Sequence, residues 1–255
     1  MAQGDVTATI SKPSGKALYF DGTDDRVTIS NPETLDSQSA ISISFWIKSI
    51  TDATARAIIC RDGWDNKIRK ESNNNLMWFI VFDDATNSGE WEPYVLTTSW
   101  THITLTWSSS NGQMIMYVNG SLHAKTNKGA GKLLAPITAS MAVGNDATEW
   151  FKGTLADVRL YNREITSDEV TKIYRGKNAT SIGLIGYWSF NNTADPGHDD
   201  SGNGNDGTIS GAVSTGGHDT IEDDIKTARA TAGDKWNFIP LANGQQVMMV
   251  RIEEA

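Results

Sequence analysis

The sequence predicts an all-β fold: two antiparallel sheets stacked as a sandwich, with one short helix and a small C-terminal extension. Three observations carry this expectation. Short segments alternate apolar and polar residues, as half-buried strands do. Turn-forming residues punctuate them at short intervals. Within the first 215 residues one stretch, Thr166 to Gly176, has helical periodicity instead. Many short strands so spaced indicate a sandwich rather than βαβ units.

The elements follow in order. Ala17 to Phe20 leads into the turn Asp21-Gly22-Thr23-Asp24, and Arg26 to Ile29 resumes the alternation. Ile41 to Lys48 alternates at first strictly, while Leu76 to Phe82 is a denser apolar run, as in a strand covered on both faces. His102 to Trp107, a loop at Ser108 to Gly112, and Gln113 to Val118 read as a hairpin, and Asn119-Gly120 supplies a strong turn signal after it. Thr166 with Glu169 forms a capping box, Gly176 stands as the C-terminal cap, and Val170, Ile173 and Tyr174 share one helical face. Such a helix is expected to plug an open end of the sandwich or cover a sheet edge.

Gly183 to Phe190 reads as another strand, followed by the turn-rich run HDDSGNGNDGT at 198–208. Thr215 to Gly217 reads as a linker, Ile221 to Ala232 as a short polar helix, and Gln246 to Ile252 as a strand. The expected division is one domain over 1–215 and an extension over 216–255. The extension is too short for a core of its own and suits attachment or oligomerisation.

A chain of 255 residues with a 38% hydrophobic fraction and nine tryptophans can fill a sizeable core. Its net charge of −9 argues against nucleic acid or an anionic membrane surface as partner, since both call for a basic footprint. Cys60 is the single cysteine, so no internal disulfide or cysteine-rich metal site is expected. The opening MAQGDVTATISKPSG lacks the apolar stretch of a secretory signal, and no segment approaches the ~20 apolar residues of a membrane span.

Five pieces carry a resemblance. They are GKALYFDGTDDRVTIS (15–30), ISISFWIKS (41–49), WTHITLTW with MYVNG (100–107 and 116–120), FKGTLADVRLYNREITSDEVTKIY (151–174) and GLIGYWSFNNTADPGHDDSGNGNDGTISGA (183–212). In content and order they resemble the laminin-G-like (concanavalin A-like) jelly-roll domains. In that family the last block more often precedes the FDG strand. Here it follows the helix, where it either closes the sandwich or remains from a lost second copy. The resemblance implies a two-sheet jelly roll, a role in binding glycans or protein surfaces, and often one calcium ion near the sheet rim. It implies no reaction.

The residues agree that catalysis is not to be expected. Glucanases of similar fold carry Glu-x-Asp-x-Glu, because acid/base hydrolysis needs two carboxylates facing one cleft. Glu90-Trp91-Glu92 is the nearest approach and lacks the third member. His102, His123, His198 and His218 stand singly, without a nucleophile in a recognisable motif.

Calcium has two candidate places. Asp21 and Asp24 offer hard oxygen ligands on a tight turn, and the resemblance pairs Asp21 with Asp157 on a neighbouring strand. The other reading of these aspartates is ordinary turn hydrogen bonding. Further on, Asp199, Ser201, Asn203 and Gly204 occupy four positions of an EF-hand-like loop, with Ser210 where the bidentate glutamate should stand.

For a sugar, an aromatic ring takes the apolar face of a pyranose while polar groups take its hydroxyls. Trp46, Trp78, Trp100, Trp107 and Trp188 lie within strand patterns and are expected in the core. Trp64, Trp91 and Trp150 sit in polar, turn-rich surroundings, Trp64 between Asp62 and Asp65. Each of these three either meets a ligand or caps a sandwich end or interface. Two functions fit. One is a non-catalytic glycan-binding or adhesion module on an extracellular or virion surface. The other is a structural decoration, tail or fibre protein of a phage particle that contacts other virion proteins.

Overall fold

A computed structural model describes residues 15–30, 35–61, 66–136, 139–146, 148–177 and 179–215, together with the backbone of 236–240 and 247–251. The first strands are β1 (Ala17–Asp21), β2 (Arg26–Ile29), β3 (Ala40–Ser49), β4 (Arg56–Arg61), β5 (Lys67–Lys70), β6 (Asn75–Phe79) and β7 (Trp91–Val95). Next come β8 (Thr101–Ser108), β9 (Gln113–Val118), β10 (Ser121–Asn127), β11 (Met141–Val143) and β12 (Lys152–Tyr161). Helix α1 (Ser167–Tyr174) precedes β13 (Leu184–Trp188), β14 (Gly207–Ser210), β15 (Val213–Thr215), β16 (Trp236–Pro240) and β17 (Val247–Arg251). The sequence-predicted helix at 221–232 lies outside the described residues.

Two antiparallel sheets face each other. The eight-stranded sheet runs β10-β9-β8-β3-β12-β1-β15, with β13 also on β12, and the seven-stranded sheet runs β14-β2-β11-β4-β5-β6-β7. Strands β16 and β17 pair with each other as a separate two-stranded sheet. The 183–212 block closes this sandwich itself: β13 extends along β12 in the eight-stranded sheet and β14 pairs with β2 in the other, while β15, just after the block, pairs with β1.

The period-2 rule explains the core. Along β3, Ile41, Ile43, Phe45 and Ile47 point between the sheets, where they meet Ile103, Leu105 and Trp107 of β8 and Leu155, Val158 and Leu160 of β12. Trp78 and Trp188 fill the same core, as expected. Met77 on the opposite parity of β6 is also buried, which accounts for the dense apolar run there.

The outward parity of β3 is buried too. Helix α1 lies on the outer face of the eight-stranded sheet, packing Val170 and Ile173 against Ile115, Tyr117 and Tyr161. Tyr174 stacks on Trp46 with centroids 5.5 Å apart, so Trp46 belongs to this second layer rather than to the main core. The helix therefore covers the outer face of this sheet and reaches its edge strand β10, where Thr171 Oγ1 donates to the Gly120 carbonyl oxygen at 3.2 Å. Its start is the predicted one. Thr166 accepts from the Glu169 N–H and the Glu169 side chain accepts from the Thr166 N–H, while Gly176 follows the C-cap with φ +62°.

One irregularity shapes β12. Between Ala156 and Arg159 it gains a residue relative to β3, and Asp157 there has φ +54°. This is a β-bulge, which sharpens the local bend. It divides the free edge of β12 between β1, which pairs up to Leu155, and β13, which pairs from Val158 onward.

Candidate binding rim

The turn between β1 and β2 carries the clearest cluster of charge. The Asp21 N–H donates to Asp25 Oδ2 at 2.7 Å, and Asp21 Oδ1 accepts from the Thr23 N–H at 2.7 Å. Ligand oxygens of Asp21, Asp24 and Asp25 all lie within 4.8 Å of one another. Asp25 is 5% exposed. Burial pushes its carboxyl up, the Asp21 N–H opposes this, and the charges of Asp21 and Asp24 add to the rise. The sequence reading includes Asp25 in the candidate turn without naming it as a ligand, and the alternation that turns Val27 and Ile29 inward also turns Asp25 inward.

Trp150 belongs to the same end of the sandwich. Asp21 lies opposite Lys152 across β1 and β12. A Cβ on Gly22 would come within 2.8 Å of Arg56 Nη1 and 2.9 Å of Lys152 Cβ, so the turn sits directly on these two side chains. Arg56 Nη1 donates to the Trp150 carbonyl oxygen at 3.1 Å, and the Arg26 guanidinium carbon lies 6.0 Å from the Trp150 ring centroid. The half-buried Trp150 is thus linked to the 21–25 turn through Arg26 and Arg56.

Buried charge holds the segment before Trp150 in place. Asp146 Oδ1 accepts from the N–H groups of Thr148 and Glu149 at 3.0 and 2.7 Å. Lys67, fully buried on β5, pairs with Asp146 and lies 3.0 Å from Glu149; Arg69 reaches Glu149 at 3.2 Å. Burial would raise the Asp146 carboxyl, but Lys67 and the backbone donors outweigh it and hold it low. Removing one partner of such a pair leaves an uncompensated buried charge, so Lys67, Asp146 and Glu149 are costly to separate.

The other candidates separate. Asp62, Trp64 and Asp65 lie outside the described residues. Trp91 opens β7 opposite Trp78 and packs against the core. The pairing of Asp21 with Asp157 does not occur. Asp21 faces Lys152, so Asp157 is five residues along the strand, about 16 Å away. Asp157 instead holds Arg159 at 2.9 Å, whose guanidinium lies 4.0 Å over the Tyr187 ring.

The EF-hand-like reading of 199–210 fails for a similar reason. Asp199 is 1% exposed, and its carboxylate accepts from the backbone N–H groups of Tyr187, Ser201 and Asn205 at 2.9, 3.0 and 3.0 Å. It braces the loop from within.

One pair has the look of a catalytic arrangement. Ser44 Oγ lies 3.0 Å from His102 Nε2, and Thr104 Oγ1 donates to Ser44 Oγ at 3.0 Å. Both Ser44 and His102 are wholly buried beneath α1, and His102 Nδ1 has no hydrogen-bond partner. No substrate reaches this pair, which is packing.

Comparison with known proteins fits the architecture. The chain belongs to the concanavalin A-like lectin/glucanase superfamily, whose laminin-G-type family model matches residues 21–171. A Bacteroides ovatus ATCC 8483 protein, provisionally described as carbohydrate-binding, has the same fold at 18% identity and TM-score 0.64, over 81% of this chain. This chain spans 60% of that protein's length. The heptameric SAP-like pentraxin of Limulus polyphemus aligns at 13% identity and TM-score 0.53, over 83% of this chain and 98% of the pentraxin. A search of the curated proteins finds no match to the sequence. Among the described residues no helix is long and apolar enough to cross a membrane.

Proposed function

We propose that the protein is a non-catalytic glycan-binding module whose ligand site is the rim formed by Trp150 and the 21–25 turn. The observation that carries this reading is a half-buried tryptophan whose carbonyl is held by Arg56 and whose ring lies 6.0 Å from Arg26, at the end of the sandwich where three carboxylates of the 21–25 turn cluster. A pyranose can lay its apolar face on the ring and turn its hydroxyls toward the turn. The carbohydrate-binding description of the Bacteroides ovatus protein supports the same reading.

The donor set of the turn suits calcium, which takes six to eight oxygens. Asp21, Asp24 and Asp25 would supply carboxylate oxygens, and a cation there would relieve the crowding of charge on the buried Asp25. Bound calcium would neutralise the turn and present open positions to ligand hydroxyls. Turn hydrogen bonding, the other earlier reading of these aspartates, engages Asp21 Oδ1 and Asp25 Oδ2.

The extension at 216–255 would serve attachment or oligomerisation, leaving 1–215 as the binding domain. What favours this is that β16 and β17 pair only with each other among the described strands. Attachment to a virion or cell surface, as a decoration, tail or fibre component, is the setting in which such an extension would work.

A glycan microarray run in calcium and again in chelator tests the reading. Binding to at least one glycan, lost or weakened in chelator, is expected. Absence of binding in both conditions would leave only an assembly role.

A further inference from the structure

The geometry points to a self-made covalent cross-link: Lys67 Nζ displaces Asp146 Oδ2 as water, and an isopeptide bond joins β5 to the segment before Trp150. This goes beyond the glycan-binding reading and does not depend on it. Both side chains are shut away from solvent, Lys67 at 0% and Asp146 at 1% exposure, and Nζ donates directly to Oδ2. A second carboxylate, Glu149, places Oε2 3.0 Å from the same nitrogen. A nucleophile, an electrophile and a proton carrier thus meet in one dry place.

The two oxygens of Asp146 have different surroundings. Oδ1 accepts from the Thr148 N–H at 3.0 Å, the Thr148 hydroxyl at 2.9 Å and the Glu149 N–H at 2.7 Å. Donors fixed in this way stabilise the negative charge that gathers on oxygen when a carboxyl carbon is attacked. Oδ2 faces the amine instead. Oδ1 is therefore the oxygen that stays, as the amide carbonyl, and Oδ2 the one that leaves.

The step balances from the ion pair as it stands. One proton crosses from the Lys67 ammonium to Oδ2, giving a neutral amine and a neutral acid. The nitrogen lone pair then attacks Asp146 Cγ, and the charge on Oδ1 is held by its three donors. Glu149 takes a second proton from Nζ and delivers it to the Oδ2 hydroxyl. The C–Oδ2 bond breaks, water departs, and Nζ keeps one hydrogen as the amide. No outside reagent is consumed. Keeping two charges out of water is costly, and the amide removes both.

Lys70 shows the contrast. It is buried to the same degree, but its ammonium donates to the carbonyl oxygens of Asp52 and Thr54, each at 2.9 Å, as well as to Asp52 Oδ1. Carbonyl acceptors solvate an ammonium and cannot be acylated by it. The Asp52 side chain, moreover, is 28% exposed. The chain has a single cysteine and so no internal disulfide. A Lys67–Asp146 amide would tie positions 79 residues apart and restrict the unfolded chain as a disulfide does.

The test is intact-mass spectrometry of the denatured full chain, followed by tryptic mapping. Most of the purified native chain should be lighter by one water, about 18 Da, with Lys67 uncleaved and joined to the peptide that holds Asp146. Lys67→Arg should carry the full mass. Glu149→Gln should convert at least ~100-fold more slowly, the scale for a lost proton carrier. A native chain of full mass would overturn the proposal. A water loss that maps to an aspartyl-glycine succinimide, such as Asp21-Gly22, or that persists in Lys67→Arg, would overturn it equally. An undiminished rate in folded Glu149→Gln would remove Glu149 from the step. The reading on the native chain decides the cross-link whether or not a variant folds.

Discussion

Arg56 joins two loops through one guanidinium: Nη2 lies 2.6 Å from Asp52 Oδ2, and Nη1 donates to the Trp150 carbonyl oxygen at 3.1 Å. Lys70, fully buried, holds the other oxygen of Asp52 at 2.8 Å. Burial alone would raise the Asp52 carboxyl. The hydrogen bonds from Arg56 and Lys70 outweigh it and hold Asp52 well below the usual carboxylate range. Arg56→Ala is therefore expected to cost about 1.5–3 kcal/mol, the scale for hydrogen bonds to a charged group. It should also weaken glycan binding, since Trp150 loses its brace without the ligand losing a contact. Unchanged affinity beside a lowered melting temperature would separate Arg56 from the site.

His102 gives a pH dependence whose sign is fixed. Burial, with the charge of Arg159 adding, brings its pKa down to about 3. An unfolded histidine titrates near ~6.5, so below that pH the unfolded chain takes up a proton that the fold refuses. The contribution is whole above ~6.5 and is lost as pH falls toward 3, at up to about 1.4 kcal/mol per pH unit. Urea melts of the native protein and His102→Gln between pH 7 and 5 isolate this effect from the carboxylates. The variant should have the flatter profile, and parallel profiles would contradict the assignment.

The capping box of α1 should be measurable in the same way. Glu169 accepts from Arg163 at 2.7 and 2.9 Å and from the Thr166 N–H at 2.8 Å. The Arg163 hydrogen bonds bring its carboxyl down to about 2 against the opposing effect of burial. That contribution is present above the unfolded value near ~4.3 and fades as pH falls toward 2. Thr166→Ala should cost ~1 kcal/mol. In a chain of this size that is about 2–4 °C in melting temperature. Thr166→Ser should stay close to the native value, and an equal loss in both variants would argue against the cap.

Closure by the 183–212 block predicts an asymmetry between truncations. Removing 216–255 should leave a cooperative melt, because among the described residues no strand of the two large sheets lies there. Removing everything from 207 takes away β14 and β15 and exposes the edges of β2 and β1. Unpaired edges invite aggregation, so this shorter chain should elute as large species on a sizing column. A monomeric, cooperatively folded product ending at 206 would show that β14 and β15 are dispensable.

What was legible in the sequence was local. The capping box, the alternation of β3, the Asn119-Gly120 turn and the β1–β2 turn each declare themselves within a few residues. Strand β5 did not, because Lys67 and Arg69 look like solvated positions until Asp146 and Glu149, some eighty residues later, cover them. Strand β10, SLHAKTN, is a largely exposed edge with no apolar alternation to read. Strands β14 and β15 are short and sit in or beside a run of turn formers.

The rim was half legible for the same reason. Asp21, Asp24 and Trp150 could be named singly from their surroundings. Their adjacency depends on the register of β1 against β12, a long-range pairing that local pattern does not specify. Asp157 was misplaced by the same gap: the resemblance pairs it with Asp21, whereas the register sets Asp21 opposite Lys152.

The most direct measurement is calorimetric titration of Trp150→Ala against the tightest-binding array glycan, in calcium, alongside its melting curve. The account predicts a folded variant whose affinity has fallen at least ~10-fold, the order expected when a stacked ring is removed. A folded Trp150→Ala protein that binds as tightly as the native chain would contradict it.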